Sequence, residues 1–403
     1  MSYDLEGWRE RFPSLRREVS GRPVAWLDGP GGSQAPEEVA DAIADVLRRG
    51  VSNLGGAFAA SDEAAVIVAD ARRAVADLIG AAEPDSVAFG QSMTSLNLAL
   101  ARAVSADWGP GDEVVVTRLD HDANVSPWLL AAERTGATVR WVDFDPADGC
   151  SLDDVSAVLS DRTRLLAVTH ASNAVGTIPD VAGAVGAARS VGAFTVVDAV
   201  HHVPHLPTDM AAVGCDALLC SAYKFHGPHI GAMALAPEAW GLVAERIRPA
   251  SAAQPGKWEA GTASFEALAG VTAAVDALAS LGSGSDRRAR LVSAMGSIHD
   301  HTTDLADRFL AGLRRLDGVH LHGIDDGRAR TPTFGITVDG WAPRDVARRL
   351  GDQGIHVWDG HFYALEVIRR LGLADSGGLV RIGFLSYTSA DEVDRVLAAL
   401  AAL

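Results

Sequence analysis

The chain has 403 residues, 48% of them apolar, which suits two unequal domains able to bury a cofactor and excludes a disordered protein. A formal charge of −17 repels nucleic-acid phosphates and anionic lipid, and no basic patch offsets it; pairs such as Arg48-Arg49, Arg72-Arg73 and Arg348-Arg349 read as solvated helix faces. The N-terminus is charged and no apolar run reaches the roughly 18 residues a bilayer needs, so the expectation is a cytoplasmic protein without nucleic-acid or membrane partners.

From Trp26 to Leu235 short apolar runs alternate with segments of helical period. Strands are predicted at 24–27, 87–89, 113–117, 139–142, 165–169, 194–197, 217–220 and 230–235, with helices at 37–49, 63–79, 123–134 and 181–190. Many of these strands are apolar on both faces, as in a largely parallel sheet covered by helices on both sides. After Gly261 the pattern changes to long helices at 265–280 and 286–316, then short strands at 319–322, 333–338, 356–358 and 379–382. The expected fold class is α/β: a large, doubly wound domain with a mainly parallel sheet over 26–264, a smaller α+β domain over 265–403, and an N-terminal segment, 1–25, packing with the latter.

Cys150, Cys215 and Cys220 form neither a CxxC pair nor an even framework, and the last two read as small core residues. Lysine is rarer still, with only Lys224 and Lys257 in the chain. Lys257 sits in the polar stretch Gln254-Pro255-Gly256-Lys257 and reads as a surface residue, whereas Lys224 lies between an apolar strand and Phe225-His226-Gly227-Pro228.

Ligands in open α/β sheets sit beyond the carboxyl ends of the strands, and four such ends carry pointed chemistry. Gly90-Gln91-Ser92-Met93-Thr94 opens the helix predicted at 95–102, where free amides and hydroxyls make a phosphate site or simply a capped helix. Asp198 ends a strand and can hold a pyridinium proton, bind Mg²⁺ or cap a turn; neither lysine lies in a GxxxxGK[ST] loop, which removes the nucleotide-linked Mg²⁺ reading. Ser221-Ala222-Tyr223-Lys224 ends the next strand. In Arg118-Leu119-Asp120-His121-Asp122-Ala123-Asn124 the imidazole of His121 can lie on an aromatic cofactor or join His201, His202 and His205 around a metal. The HHxxH spacing matches no familiar ligand set, and no metal is expected. Together a phosphate cradle, a ring-facing histidine, a strand-end aspartate and a strand-end lysine are the parts needed to hold pyridoxal 5'-phosphate (PLP), the lysine as its imine and the aspartate keeping the ring nitrogen protonated.

The chain resembles the class V aminotransferases of PLP fold type I, and within them the cysteine desulfurase-like and isopenicillin N epimerase-like branch. Leu27-Asp28-Gly29-Pro30-Gly31-Gly32 looks like the family's Leu-Asp segment with an altered continuation. His121-Asp122-Ala123-Asn124, Thr169-His170-Ala171-Ser172-Asn173-Ala174-Val175-Gly176-Thr177, Asp198-Ala199-Val200-His201 and Ser221-Ala222-Tyr223-Lys224 follow the family closely, as do Trp258-Glu259-Ala260-Gly261-Thr262 and Arg381 with Ser386-Tyr387-Thr388. The resemblance implies a homodimer with shared active sites. Lys224 would carry the imine, His121 stack on the ring, Asp198 bind its nitrogen and His201 or Asn173 its phenolic oxygen. Ser92, Met93, Ser221, Tyr223 and the partner's Thr262 would hold the phosphate, and Arg381, with Asn173, the substrate carboxylate.

Desulfurases carry a cysteine nucleophile in a loop that corresponds here to Val357-Trp358-Asp359-Gly360-His361-Phe362-Tyr363-Ala364. Tyr363 stands where the thiol should be, and Trp358 replaces a usual arginine. A phenol forms no persulfide, so the expected reaction is β-elimination from an S-substituted cysteine, as in lyases that trim cysteine conjugates in lincosamide-type antibiotic pathways. Trp358, Phe362 and Tyr363 would either merely pack the small domain or line the substrate mouth, with the Tyr363 hydroxyl orienting or protonating the leaving sulfur. Epimerisation, decarboxylation or deamination, desulfuration through a non-standard thiol, and a non-catalytic PLP-binding role are the alternatives.

Overall fold

A computed structural model describes residues 3–403. Seven strands form one sheet in the order Val87–Gly90, Gly231–Leu235, Ala217–Ser221, Phe194–Asp198, Thr163–Thr169, Glu113–Thr117 and Thr138–Val142. Gly231–Leu235 runs antiparallel to both neighbours and the remaining pairings are parallel. Strand alternation divides the apolar residues between two cores. Val114, Val116, Leu165, Val196 and Leu219 face the helices Met93–Val104 and Ser126–Thr135, whereas Val115, Leu166, Val168, Val197 and Leu218 face Ala59–Ile79, Val181–Ser190 and Phe265–Ala279. Each such side chain, fully buried, contributes about 1.5–3 kcal/mol.

A second sheet, wholly antiparallel, has the order Val319–His322, Thr333–Val338, Leu379–Gly383, Trp358–Gly360. It packs on Leu305 and Phe309 of the helix Arg287–Leu313, on Val393 and Val396 of the helix Ala390–Leu400, and on Ala25 and Leu27. The early chain reaches this sheet because Ala25–Trp26 pairs with Ile355–His356 and Asp28 bridges Gly383. Among the described residues no helix is long and apolar enough to cross a membrane.

Several sequence expectations are corrected. The single strand expected at 356–358 is two: Ile355–His356 belongs with Ala25–Trp26, and Trp358–Gly360 joins the four-stranded sheet. Alternation along a strand carries no information about a change of partner, so the break at Val357 is invisible in sequence. The helix expected at 123–134 begins at Ser126, after a one-turn 3-10 segment, because Pro127 is tolerated only in a helix's first turn. Arg72 is not a solvated residue; it is largely covered and pairs with Glu259 at 2.7 Å. Lys257 is also buried, donating to the carbonyls of Trp240 at 2.5 Å and Leu242 at 2.7 Å, and so ties down its loop.

The antiparallel strand sets one close approach. A Cβ on Gly231 would lie 2.2 Å from the backbone N of Met93 and the carbonyl carbon of Ser92, so only glycine lets the helix start rest on the sheet there. Gly231→Ala is expected to destabilise the fold by about 1–3 kcal/mol, the usual range for overpacking. Urea unfolding should give a lower midpoint at unchanged slope, and an unaltered midpoint would contradict the contact.

Candidate active site at the carboxyl ends of the sheet

Lys224 closes the one-turn segment Ala222–Lys224 that follows the strand Ala217–Ser221. Its side chain is buried, its Nζ donates to the carbonyl of Pro30, and it lies 4.8 Å from the centroid of the Tyr223 ring. Burial pushes the ammonium down to about 7, Arg381 pushes the same way, and Asp198 and Asp28 pull against them. An uncharged amine is therefore available near neutral pH, several units below a free lysine.

Asp198 ends the neighbouring strand and accepts the Val200 N–H at 2.9 Å. Burial pushes it up to about 6, with that amide and Lys224 opposing. A second carboxylate lies close by, because Asp120 accepts the N–H of Thr169, the register partner of Asp198, at 3.0 Å. Asp120 also accepts from Thr117 at 2.5 Å and Asn124 at 2.7 Å, while burial pushes it up to about 8. Next to it, His121 accepts the Ala123 N–H on Nδ1 at 3.0 Å, which places the proton of the neutral ring on Nε2. Burial first, then Lys224 and Arg381, push His121 down to about 4, so it presents an uncharged face.

Arg381 is the middle residue of the strand Leu379–Gly383 and is buried, donating to the Asn173 carbonyl at 3.0 Å and stacking 4.3 Å over the Phe362 ring. Burial pushes it down to about 9, against the pull of Asp28 and Tyr223. Its Nε, the Asn173 Oδ1 and the Asp28 Oδ1 are buried without a hydrogen-bond partner. Buried polar atoms of this kind call for a partner, and a ligand's polar groups are one way to supply it. His201 is held through Nε2 by the Thr331 and Thr333 hydroxyls at 3.2 and 2.9 Å.

The loop 357–364 covers this group. Phe362 and Tyr363 adopt φ of 53° and 56°, left-handed conformations that cost on the order of 1–3 kcal/mol each unless neighbours enforce them. The enforcement is visible: Asp122 N–H donates to the Tyr363 carbonyl at 2.7 Å and Asn173 Nδ2 to the Phe362 carbonyl at 3.0 Å. Behind the loop Leu119, Phe144, Ala364, Val367 and Leu379 form a small core, and Arg118 pairs with Glu366. Tyr363 stays 65% exposed, its ring 5.5 Å from that of His121. Trp358 is 49% exposed and overhangs Gly31, where a Cβ would meet its Nε1 at 2.4 Å.

The structure thus gathers Lys224, His121, Asp198, His201, Asn173, Tyr223, Arg381, Phe362, Tyr363 and Trp358. Ser221 is buried at the strand end just before Lys224. Ser92 caps the helix Met93–Val104, its hydroxyl accepting the Ser95 N–H at 3.1 Å. The Met93 side chain lies in the core, so only its backbone N–H is free to face a ligand. Thr262 does not join the group: it is exposed, in a separate cleft of about 800 Å³ shared with Ser95, Arg102 and Ile247. All three cysteines are buried and their thiols pushed up to about 12 by burial. His202 stacks on His170 at 3.6 Å and bonds Thr208, and among the described residues no cluster of His, Cys, Asp or Glu is arranged to hold a metal. Asp28 and Asp120 were missed as site residues although both lie inside motifs read from the sequence, since nothing in a linear pattern shows which strand end a carboxylate meets.

Comparison with known proteins follows the same lines. The family profile Aminotransferase class-V matches residues 25–396. An uncharacterised protein of Mycobacterium tuberculosis is 33% identical over the full length of both chains, and a probable cysteine desulfurase 2 of Mycobacterium leprae is 33% identical over 98% of this chain and 95% of its own. The structure superposes on the cysteine desulfurase of Thermococcus onnurineus with a TM-score of 0.84 at 26% identity, covering 97% of this chain and 98% of that one. The chain belongs to the class V aminotransferase family, PLP-dependent enzymes of fold type I.

Proposed function

We propose that this chain is a C–S lyase that cleaves an S-substituted cysteine by β-elimination. The observation that carries the reading is the sulfur-acceptor position. Relatives of this chain are named cysteine desulfurases, yet Tyr363 occupies the loop position expected for the acceptor thiol, and all three thiols of the chain are locked in the core with their protons firmly held. Elimination needs no acceptor, because the thiolate departs with the electron pair of the broken Cβ–S bond.

The residues present fit PLP. A buried amine whose proton is loosely held, a buried carboxylate at a strand end, an uncharged histidine face and open amides at the start of Met93–Val104 are the donor set such a cofactor requires. Ser92, Met93 N–H, Ser221 and Tyr223 would hold the phosphate, completed by Thr262 of a second copy, and Asp198 the ring nitrogen. His201 is the better donor for the phenolic oxygen, since the free atom of Asn173 is itself an acceptor. Bound there, PLP supplies the electron sink that makes the Cα proton of an amino acid removable.

Arg381 holds the substrate carboxylate through its free Nε, and Lys224, uncharged near neutral pH, takes the Cα proton. The Tyr363 hydroxyl protonates the departing sulfur at the open rim, giving a thiol. The remaining 2-aminoacrylate hydrolyses to pyruvate and ammonia, so atoms and electrons balance. Trp358 and Phe362 offer apolar surface to a bulky S-substituent. The enzyme works in the cytoplasm.

Incubated with S-alkylcysteines, the wild-type enzyme is expected to release thiol, pyruvate and ammonia in equal amounts by mass spectrometry. Tyr363→Phe should lower kcat on the order of 10²-fold with an unchanged cofactor spectrum. Full activity in that variant removes the hydroxyl from the mechanism, and rapid persulfide formation by the wild-type protein returns the chain to the desulfurases.

Borohydride reduction of the holoenzyme should fix the cofactor on Lys224. A peptide map with the label on Lys257 would refute the assignment, and the carbonyls of Trp240 and Leu242 that occupy its ammonium argue against that result.

Thr262 in its separate cleft, with Val243 and Ile247 exposed nearby, supports a homodimer that shares its sites. Light scattering should give twice the chain mass, and Thr262→Ala should weaken PLP retention. A monomer with full PLP affinity is incompatible with shared sites.

A further inference from the structure

The turn that carries Pro30 also carries a carboxylate with no assigned task. Asp28 bridges Gly383, which lies two residues beyond Arg381 on the strand Leu379–Gly383 and hence on the same face. Three groups from other elements act on Asp28 or feel its charge: the Arg381 guanidinium of that strand, the Tyr387 hydroxyl of the turn after it, and the Lys224 amine of the segment after Ala217–Ser221. Tyr387 already receives the Gln34 N–H at 3.3 Å. The Asp28 Oδ1 nevertheless has no hydrogen-bond partner, and neither has the Arg381 Nε, although both atoms are buried. A carboxylate and a guanidinium of opposite charge thus share one site without closing into an ion pair.

We infer that Asp28 is the unpaired counter-charge of Arg381 in the unliganded enzyme and that a substrate carboxylate bound by Arg381 takes over that role, so that substrate binding obliges Asp28 to take up a proton. The argument is electrostatic. A second carboxylate on Arg381 removes the cation's pull from Asp28 and adds a like charge beside it, and two carboxylates in one dry site do not both stay ionised. Burial already pushes Asp28 up to about 6, against its own amide, Arg381 and Lys224. Below that value Asp28 is protonated before the ligand arrives, and carboxylate affinity is flat with pH. Above it each bound carboxylate draws in a proton, and affinity falls by up to tenfold per pH unit until the raised value in the complex is passed. Asp28 is therefore a positioning and specificity-determining residue: it holds Arg381 ready and penalises any further negative charge on the substrate.

This inference rests on Arg381 as the carboxylate-binding cation. The test uses the PLP-loaded enzyme and 3-phenylpropionate, a carboxylate with no amine to react with the cofactor. Calorimetry at pH 7.5 in two buffers of different ionisation enthalpy should report net uptake approaching one proton per site, and affinity should fall several-fold between pH 7 and pH 8. In Asp28→Asn the uptake should vanish and the pH slope flatten, while 3-phenylpropanol should bind either protein without protons. Binding of 3-phenylpropionate to the wild-type enzyme without proton uptake overturns the inference alone, as does unchanged uptake in Asp28→Asn. Absence of binding at every pH overturns the Arg381 assignment and this inference with it. Where the variant folds poorly, absence of proton uptake by the wild-type enzyme still overturns the inference, and so does a shift of the cofactor absorbance that accounts for the proton at Lys224.

Discussion

The site depends on placing Lys224 where water cannot reach it. A buried ammonium without an ion-pair partner is strongly disfavoured, and this one has the Pro30 carbonyl as its hydrogen-bond acceptor and the Tyr223 ring 4.8 Å away. Its proton is therefore loosely held, at about 7. The opposing charges are arranged at a distance: Asp198 and Asp28 favour the ammonium, Arg381 disfavours it. Moving Lys224 into contact with either carboxylate would raise its proton affinity and remove the free amine that the chemistry needs. The sheet sets this spacing, since Asp198 and Lys224 leave adjacent parallel strands, whereas Asp28 and Arg381 arrive together from the other sheet.

The second sheet does more than cover the first. Asn173 links three parts at once: its carbonyl accepts from Arg381, its amide nitrogen donates to Phe362, and its Oδ1 remains unpaired. Arg381 and the loop backbone are thus joined through one residue. A parallel link holds His201 through Thr333, the first residue of the strand that pairs with Leu379–Gly383, and Thr331 just before it. The left-handed backbone at Phe362 and Tyr363 shows what these contacts achieve, because two adjacent residues in that region are kept only where the surroundings dictate them.

Most of the sheet was legible in the sequence because a strand covered on both faces must be apolar at every position, and the strand-end chemistry followed from where open α/β sheets bind ligands. Lys224 stood out because lysine is almost absent elsewhere. What could not be read depends on pairing between distant segments. Lys257 looked like a surface residue because its partners are backbone carbonyls 15 and 17 positions away, which leave no trace in side-chain pattern. Asp120 appeared inside a motif without a task because its partner Thr169 lies 49 residues on. The break at Val357 was hidden for the same reason, since the two halves of one extended stretch pair with strands from opposite ends of the chain.

A tyrosine where the family resemblance places a thiol differs from it by more than one atom. An acceptor cysteine has to reach the substrate sulfur and afterwards deliver what it has taken, which calls for a mobile loop. Here the loop is fastened by Asp122, Asn173 and the Arg118–Glu366 pair, and its strained residues are held in one conformation. Such a loop suits a group that acts from a fixed position and carries nothing away. A phenol that donates a proton and regains it from water meets that description, and the 65% exposure of Tyr363 gives water direct access to it. The fastening of the loop and the absence of a thiol from it are consistent with one another, and both fit the proposed reaction, in which the sulfur leaves with its own substituent.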